Sequence, residues 1–406
     1  MTTEYMSLCS LQGGSGSTSS QRPSQSAEAE GKRVQVQMEN GKWKEAPKKK
    51  RNPSANLDVP RAFLCNREEG QKTLDLSKSN ISSLPPTLKE LSHLTELYLY
   101  SNRLATLPPE IGSLVNLVTL SLSENVITSL PSQLANLQSL RVLDCRHNRL
   151  TEIPAVVYQL PSLTTLYMRF NRIREVDPEL GNLTNLTNLS IRENQISSLP
   201  GTIGRLKSLV TCDCSYNQLE HLPPQIGECS KLSSLDLQHN KLLDLPPEIG
   251  NLTQLSRLGL RYNQLHTGNI PRTLANCVNL EEFNIENNCV ASLPDGLLAA
   301  LDKISSITLS RNQFSTYPSG GPAQFVNITT LNMEHNMCDR IPYGIFSRAN
   351  YLQKLNMKEN QLTSLPIDIG TWVNISSSVK SDHSNFTIIG EHGGAQPGHK
   401  SVDKDT

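Results

Sequence analysis

From Leu74 to Leu365 the apolar positions fall into one recurring frame, L-x-x-L-x-L-x-x-N-x-L, usually followed by x-x-L-P-x-x-I/L-G-x-L. The asparagine keeps the register. It stands at Asn102, Asn125, Asn148, Asn171, Asn194, Asn217, Asn240 and Asn263, each 23 residues after the last, and then at Asn288, Asn312, Asn336 and Asn360 after steps of 25, 24, 24 and 24. Ser79 holds the same place in an opening unit, which makes thirteen units. In L-x-L the two leucines point one way and the residue between them the other, as alternation on a strand requires. One such unit cannot bury its apolar face alone, so the units must stack, with their strands side by side in a parallel sheet. The asparagine lies at the turn after the strand, where its amide can bond backbone groups of its own and the adjacent coil. Leu-Pro pairs such as Leu107-Pro108 and Leu222-Pro223 close the turn, because proline stops regular pairing and fixes an extended entry into the next segment.

This frame is the signature of a leucine-rich repeat. It predicts an α/β repeat fold: a curved horseshoe solenoid with a concave parallel β-sheet and a convex side of short helical or irregular segments. The array is expected over residues 73–375. Before it, Asp58 and Pro60 suit the start of a short helix carrying Ala62, Phe63 and Leu64, an N-terminal cap over 56–72. Residues 1–55 are rich in Ser, Gln, Gly, Glu and Lys and lack spaced apolar residues, so they predict a disordered tail. The step of 25 predicts a loop at His266-Thr267-Gly268-Asn269 that bulges on one rim without breaking the sheet. After Asn360 the frame calls for apolar residues near 376, 379 and 381 and an asparagine at 384. The chain offers Ser376, Val379, Ser381 and Ser384. Residues 376–406 are therefore expected to be a non-repeat, disordered tail. The array reads as shortened at this end, since a solenoid needs a polar terminal unit.

Lys+Arg and Asp+Glu are equal at 38 each, so nothing in the balance asks for nucleic acid or a membrane surface. No stretch approaches 18 apolar residues and no basic start leads into an apolar core, which predicts a cytoplasmic chain without membrane insertion. Pro47-Lys48-Lys49-Lys50-Arg51 resembles a nuclear import signal and reads equally as a solvated charge run, so a nuclear location stays open too. Of nine cysteines, Cys145, Cys212 and Cys214 stand where the repeat expects a buried aliphatic residue. The Cys212/Cys214 pair has no second ligand pair nearby, so no metal is expected. Triplets such as Asn182-Leu-Thr and Asn251-Leu-Thr match glycosylation acceptors but follow simply from a repeat rich in Asn-Leu. Catalysis needs a nucleophile, an acid–base pair or a metal converging in a pocket, and the repeat offers none. His147, His239 and His335 recur at one turn position as the template repeats. No enzyme activity and no cofactor are expected.

The informative residues are the outward ones, which the repeat does not dictate. Two residues before each asparagine stand Tyr100, Ser123, Arg146, Arg169, Arg192, Ser215, Gln238, Arg261, Glu286, Ser310, Glu334 and Lys358. Arg146, Arg169 and Arg192 occupy consecutive coils, about 5 Å apart at the sheet spacing. Like charges that close repel, and Asp144 and Glu193 relieve only part of that. A planar guanidinium suits carboxylates, so the stripe predicts an acidic partner surface. Tyr98, Tyr100, Tyr167, Phe170, Tyr216 and Tyr262 lie on or beside the same strands, and exposed aromatics there favour an interface. Farther on, Glu282, Glu286 and Glu334 turn the face acidic. Two zones of different charge suit two partners.

The strings at these positions resemble the Shoc-two or Sur-eight family of leucine-rich repeat scaffolds. They are LTELYLYSN (94–102), LDCRHN (143–148), LTTLYMRFN (163–171), LSIREN (189–194), LDLQHN (235–240), LSRLGLRYN (255–263), LNMEHN (331–336) and GIFSRA (344–349). The likeness runs from about Leu74 to Trp372 and spans about the first two-thirds of the family's array. It implies a scaffold that joins a GTP-loaded Ras-type GTPase to the catalytic subunit of protein phosphatase one, so that a Raf kinase loses an inhibitory phosphate and mitogen-activated kinase signalling rises. Raf is engaged only indirectly. Arg146 and Arg257 match family positions that contact the GTPase, and Arg169, Arg192, Arg261, Val142 and Asp144 are assigned to the same surface. Gln238 and His239 match concave positions used in assembling the complex and, with Tyr262, are assigned to the phosphatase.

Two departures accompany the likeness. Thr73 stands where the family has an arginine on the first strand, which removes one expected GTPase contact. In the tail, Lys32-Arg33-Val34-Gln35-Val36 resembles the short peptide that docks on this phosphatase by adding a strand, with Val34 and Val36 as its apolar anchors. Its last anchor is aromatic in the family, so Val36 predicts weaker docking. The alternatives are a generic cytosolic leucine-rich repeat adaptor, or a truncated isoform that sequesters one partner. A receptor ectodomain is disfavoured by the missing signal peptide and cap cysteines.

Overall fold

In a computed structural model, residues 58–372 are described continuously, together with short strands at Met38–Glu39, Lys42–Trp43, Val379–Lys380, Thr387–Ile388 and Val402–Asp403. The chain divides into two units, Met1–Asn52 and Pro53–Thr406. In the first, Met38–Glu39 pairs antiparallel with Lys42–Trp43. The rest of that tail, expected to be disordered, the docking peptide with Val34 and Val36, and most of the C-terminal tail lie outside the described residues.

The second unit is a leucine-rich repeat solenoid. Thirteen strands of three residues, from Thr73–Asp75 to Lys354–Asn356, pair in sequence order as one parallel sheet. The register is unbroken: Val142 pairs with Thr165 and Asp144 with Tyr167, and so along the array. Both leucines of each L-x-L turn inward, as Leu143 and Leu166 do with no solvent exposure. Burying a leucine completely is worth about 1.5–3 kcal/mol, and the array does this several times per coil. Cys145, Cys212 and Cys214 fill aliphatic places in this core, as their positions predict. On the convex side, short 3-10 helices follow the Leu-Pro pairs, for example Pro109–Ser113 and Pro247–Asn251, each entered from a proline in extended conformation.

The asparagine ladder does the polar work. The Nδ2 of Asn148 donates to the carbonyls of Leu122, Cys145 and Arg146, while its Oδ1 accepts from Ile127 N–H at 3.0 Å. One side chain thus satisfies backbone of two coils that would otherwise be buried unpaired. The turn that places it puts the preceding residue in the left-handed region, from Ser101 to Glu359, with φ between 51° and 60°. That conformation strains a residue with a side chain, and here it throws one side chain per coil onto the rim.

At the N-terminus, helix Val59–Glu69 opens on Asp58, whose side chain accepts from Arg61 N–H, with proline in its first turn. Phe63 packs on the core and Ala62 against it, whereas Leu64 points to solvent at 44 % exposure, because only one helix face meets the first coil. The extra residues at 266–269 form a turn held by Asn269 N–H to His266 O, and the sheet continues past them.

Candidate functional site

Each coil turns three residues outward, two on its strand and one two places beyond it, so the concave surface is a grid with three columns. Across coils four to nine the first column reads Val142, Thr165, Asn188, Thr211, Ser234 and Arg257, and the second reads Asp144, Tyr167, Ser190, Asp213, Asp236 and Gly259. The third, two residues before each asparagine, reads Arg146, Arg169, Arg192, Ser215, Gln238 and Arg261.

The three arginines of the stripe stand in different environments. Arg146 is anchored: its Nε donates to Asp144 Oδ1 at 2.8 Å and its Nη2 to Oδ2 at 2.7 Å, and its guanidinium lies 5.3 Å from the Tyr167 ring centre. Burial alone would lower its pKa, but the Asp144 carboxylate more than offsets that and holds the arginine above its ordinary value. Asp144 itself is 1 % exposed. It sits under Arg146 and orients it, so its contribution to a partner surface passes through that guanidinium. Arg192 lies 4.7 Å from the Tyr216 ring centre and 3.5 Å from the Glu193 carboxylate.

Arg169 has no acid. Among the described residues it makes no ion pair, its Nε is buried without a hydrogen-bond partner, and burial together with Arg146 and Arg192 lowers its pKa. This half-buried cation stands between two other cations, whose effect outweighs that of Asp144 and Asp213.

The aromatic residues are half-buried, which corrects their reading as exposed. For Phe170, Tyr216 and Tyr262 the cause is stacking at the strained turn position. His147 stacks on Phe170 at 4.2 Å, and His239 is sandwiched between Tyr216 and Tyr262 at 4.1 and 4.2 Å. These rings form a pre-ordered rim beside the arginine stripe. Burial, then Arg169, lowers the pKa of His147, and burial, then Arg261, lowers that of His239. Both shifts favour the neutral imidazoles, while Glu193 places a carboxylate on the same rim between Phe170 and Tyr216.

The second group of assigned residues converges three coils later. Gln238 donates through Nε2 to Asp236 Oδ2 at 3.0 Å, and its Oε1 accepts from Arg261 Nε. Arg257 is exposed and makes no ion pair among the described residues. The structure thus links Gln238 and Arg261, assigned from sequence to different partners, by one hydrogen bond. Val142 is half-buried at the edge of the arginine zone, between Thr119 and Thr165. Thr73 is exposed, with its hydroxyl 3.2 Å from Glu96 Oε2. Tyr167, counted among the interface aromatics, was assigned to neither partner and Asp236 was not singled out, although each braces a residue that was. Their signal was present in the second column, where the repeat leaves the choice free and the chain places Asp144, Tyr167, Asp213 and Asp236.

Among the described residues no group of three or more His, Cys, Asp or Glu is placed to hold a metal, and no helix is long and apolar enough to cross a membrane.

Comparison with known proteins bears on the fold and on the lineage. Residues 109–194 and 178–371 match the family described as leucine-rich repeat region, and residues 71–127 match leucine rich repeat. A leucine-rich repeat protein soc-2 homolog of Drosophila grimshawi is 78% identical over 92 residues, which is 23% of this chain and 15% of that one. The soc-2 homolog of Nematostella vectensis is 50% identical over 73 residues, 18% of this chain and 13% of that one. The chain is thus aligned with less than a fifth of the length of these relatives. Among solved structures, a leucine-rich repeat protein of Leptospira interrogans superposes with a TM-score of 0.70 at 32% identity, covering 76% of this chain and 78% of that one. An internalin of Listeria monocytogenes superposes with a TM-score of 0.67 at 20% identity, covering 82% and 95%, a likeness of fold alone.

Proposed function

Because the chain belongs to the leucine-rich repeat family, in its Shoc-two or Sur-eight branch, we propose that it is a non-catalytic cytoplasmic scaffold. It joins a GTP-loaded Ras-type GTPase to the catalytic subunit of protein phosphatase one and so promotes dephosphorylation of a Raf kinase. Arg169 carries this reading: an unpaired cation held between Arg146 and Arg192, beside a rigid ring stack, suits an acidic protein surface. The GTPase is assigned to the stripe of Arg146, Arg169 and Arg192 with Val142 and to the exposed Arg257. The phosphatase is assigned to Gln238, His239 and Tyr262, with the tail residues Val34 and Val36 adding weak docking.

The test is gel filtration with purified components. The reading expects GTP-loaded GTPase and phosphatase subunit to elute together with the chain, and Arg169→Glu to remove the GTPase. Elution of all three apart, at concentrations that assemble a full-length soc-2 homologue, rejects it. Co-elution of one partner alone supports a sequestering role in place of a bridging one.

A further inference from the structure

Gly112, Gly181, Gly204, Gly227 and Gly250 stand at one place of the frame, the glycine of the I/L-G pair on the convex side. The coils touch there: a Cβ at any of the five would come within 2.2–2.8 Å of the next coil. In the twelfth coil the same place, after Ile345, is taken by Phe346. Its ring is buried and meets Trp372 of the thirteenth coil edge to face, with centres 5.1 Å apart and planes at 89°. A phenyl ring needs more room than a hydrogen atom, so the convex segments of these two coils part. A cavity of about 440 Å³ opens between residues 343–352 and 368–372.

These segments carry two charged residues, Arg348 and Asp368. Arg348 is exposed and is not part of the wall, whereas Asp368 is. The Asp368 Oδ2 accepts from Gly344 N–H at 3.0 Å, and its Oδ1 is buried without a hydrogen-bond partner. A desolvated carboxylate oxygen without a donor is costly, and a cationic donor offsets that cost most fully. The wall also holds three aromatic side chains, Tyr343, Phe346 and Trp372. An anion would meet the carboxylate, and an apolar guest would leave Oδ1 unpaired. A guanidinium suits both kinds of wall, since its plane stacks on aromatic rings while its N–H groups donate to a carboxylate. At the opening Tyr343 is 74 % exposed, and Ile367, next to Asp368, is 92 % exposed. Apolar side chains left in water beside a cavity suit the residues that flank a side chain in a protein segment, more than they suit a free small molecule.

We propose that this cavity on the convex side is a socket for an arginine side chain of a partner protein, its guanidinium paired with Asp368 and stacked against Tyr343 and Trp372. The socket lies outside the concave surface assigned to the GTPase and the phosphatase, and it does not rest on that assignment. Phe346 holds the room open, and Asp368 selects the charge.

The full chain labelled at the tryptophan indole nitrogen carries two probes, Trp43 and Trp372. A blocked Leu-Arg-Leu peptide at millimolar concentration shifts the Trp372 Nε1–H resonance and leaves that of Trp43 in place. The same peptide with citrulline for arginine keeps the shape without the charge and gives no shift, and Asp368→Asn weakens binding at least tenfold. Absence of the shift, an equal shift with citrulline, or undiminished binding in Asp368→Asn overturns the socket. Blocked arginine alone binds more weakly than the peptide, and equal binding overturns the protein source in favour of a free guanidinium compound. Should Asp368→Asn lose its cooperative melt, Tyr343→Ala, at an exposed position, carries the comparison. Binding at least threefold weaker in that variant supports the socket, and unchanged binding overturns it.

Discussion

The guanidinium of Arg146 closes on the carboxylate of Asp144 through two hydrogen bonds of 2.8 and 2.7 Å, although the two residues are only two apart on one strand. Asp144 is buried and the Arg146 side chain is 13 % exposed, so each desolvated charge depends on the other. Removing one partner of such a pair costs about 3–5 kcal/mol, because the other is left buried and unpaired. Asp144→Asn is therefore expected to lower the free energy of unfolding by about 3 kcal/mol, read from urea denaturation by circular dichroism. A loss below about 0.5 kcal/mol, the range of an ordinary surface substitution, would show that the pair is solvated and not structural.

Arg169 inverts that logic. Its guanidinium makes no ion pair among the described residues, and two neighbouring arginines oppose its charge more than Asp144 and Asp213 favour it. Arg169→Met keeps the stem that packs along the sheet and removes the repulsion, so the variant should gain about 1 kcal/mol in stability. It should also lose tenfold or more, about 1.4 kcal/mol, in affinity for an acidic partner. Calorimetric melting and a binding titration on the same sample test both halves. A variant that gains stability and binds as before would mark the stripe as decorative.

The contrast between these two arginines also marks what the sequence could show. The thirteen-fold frame made the sheet, the buried leucines and cysteines and the asparagine ladder readable in advance, because stacking imposes the same requirement on every coil. The arginine stripe was equally visible, since its positions are free of the template. What the sequence did not rank was the state of each arginine. Arg146 and Arg169 occupy identical places and differ only in whether the second column offers Asp144 or Tyr167, a contact across the strand surface that spacing alone does not weigh. The ring stack escaped for a related reason. Tyr216, His239 and Tyr262 are 23 residues apart in sequence and touch only because the left-handed turn aims each at the next. The cavity beside Phe346 shows only as a ring in place of a glycine, which a search for candidate groups passes over.

The stacked histidines make stability depend on pH in one direction. Burial and neighbouring arginines lower the pKa of His147 and His239 in the folded chain below the ordinary value of 6.5. Between the folded and unfolded values the unfolded chain binds more protons. Their neutral-state contribution is thus fully present above about pH 6.5 and is lost as pH falls toward the depressed folded values. The urea midpoint of the wild type should fall between pH 7 and 5, and the fall should shrink in the His147→Gln, His239→Gln double variant. Equal pH profiles for the two proteins would exclude these imidazoles as the cause.

Gly227 and Gly370 occupy the same place in two coils and face different neighbours. At Gly227 an added Cβ would come within 2.2 Å of the Glu248 carbonyl oxygen and 2.8 Å of its carbonyl carbon, both backbone atoms that cannot turn aside. At Gly370 nothing among the described residues lies within 4 Å, and Leu365 and Ile369 of the same coil are only partly buried. Overpacking of a close-packed interior costs about 1–3 kcal/mol. Gly227→Ala should therefore destabilise the array by at least that much, since two neighbouring coils must separate. Gly370→Ala should be neutral, or stabilising by about 0.4–1 kcal/mol through the entropy of the unfolded chain. The pair of melting curves reads the state of the last described coil directly. A cost at Gly370 comparable with that at Gly227 would mean that another coil or another molecule already rests on that face in solution.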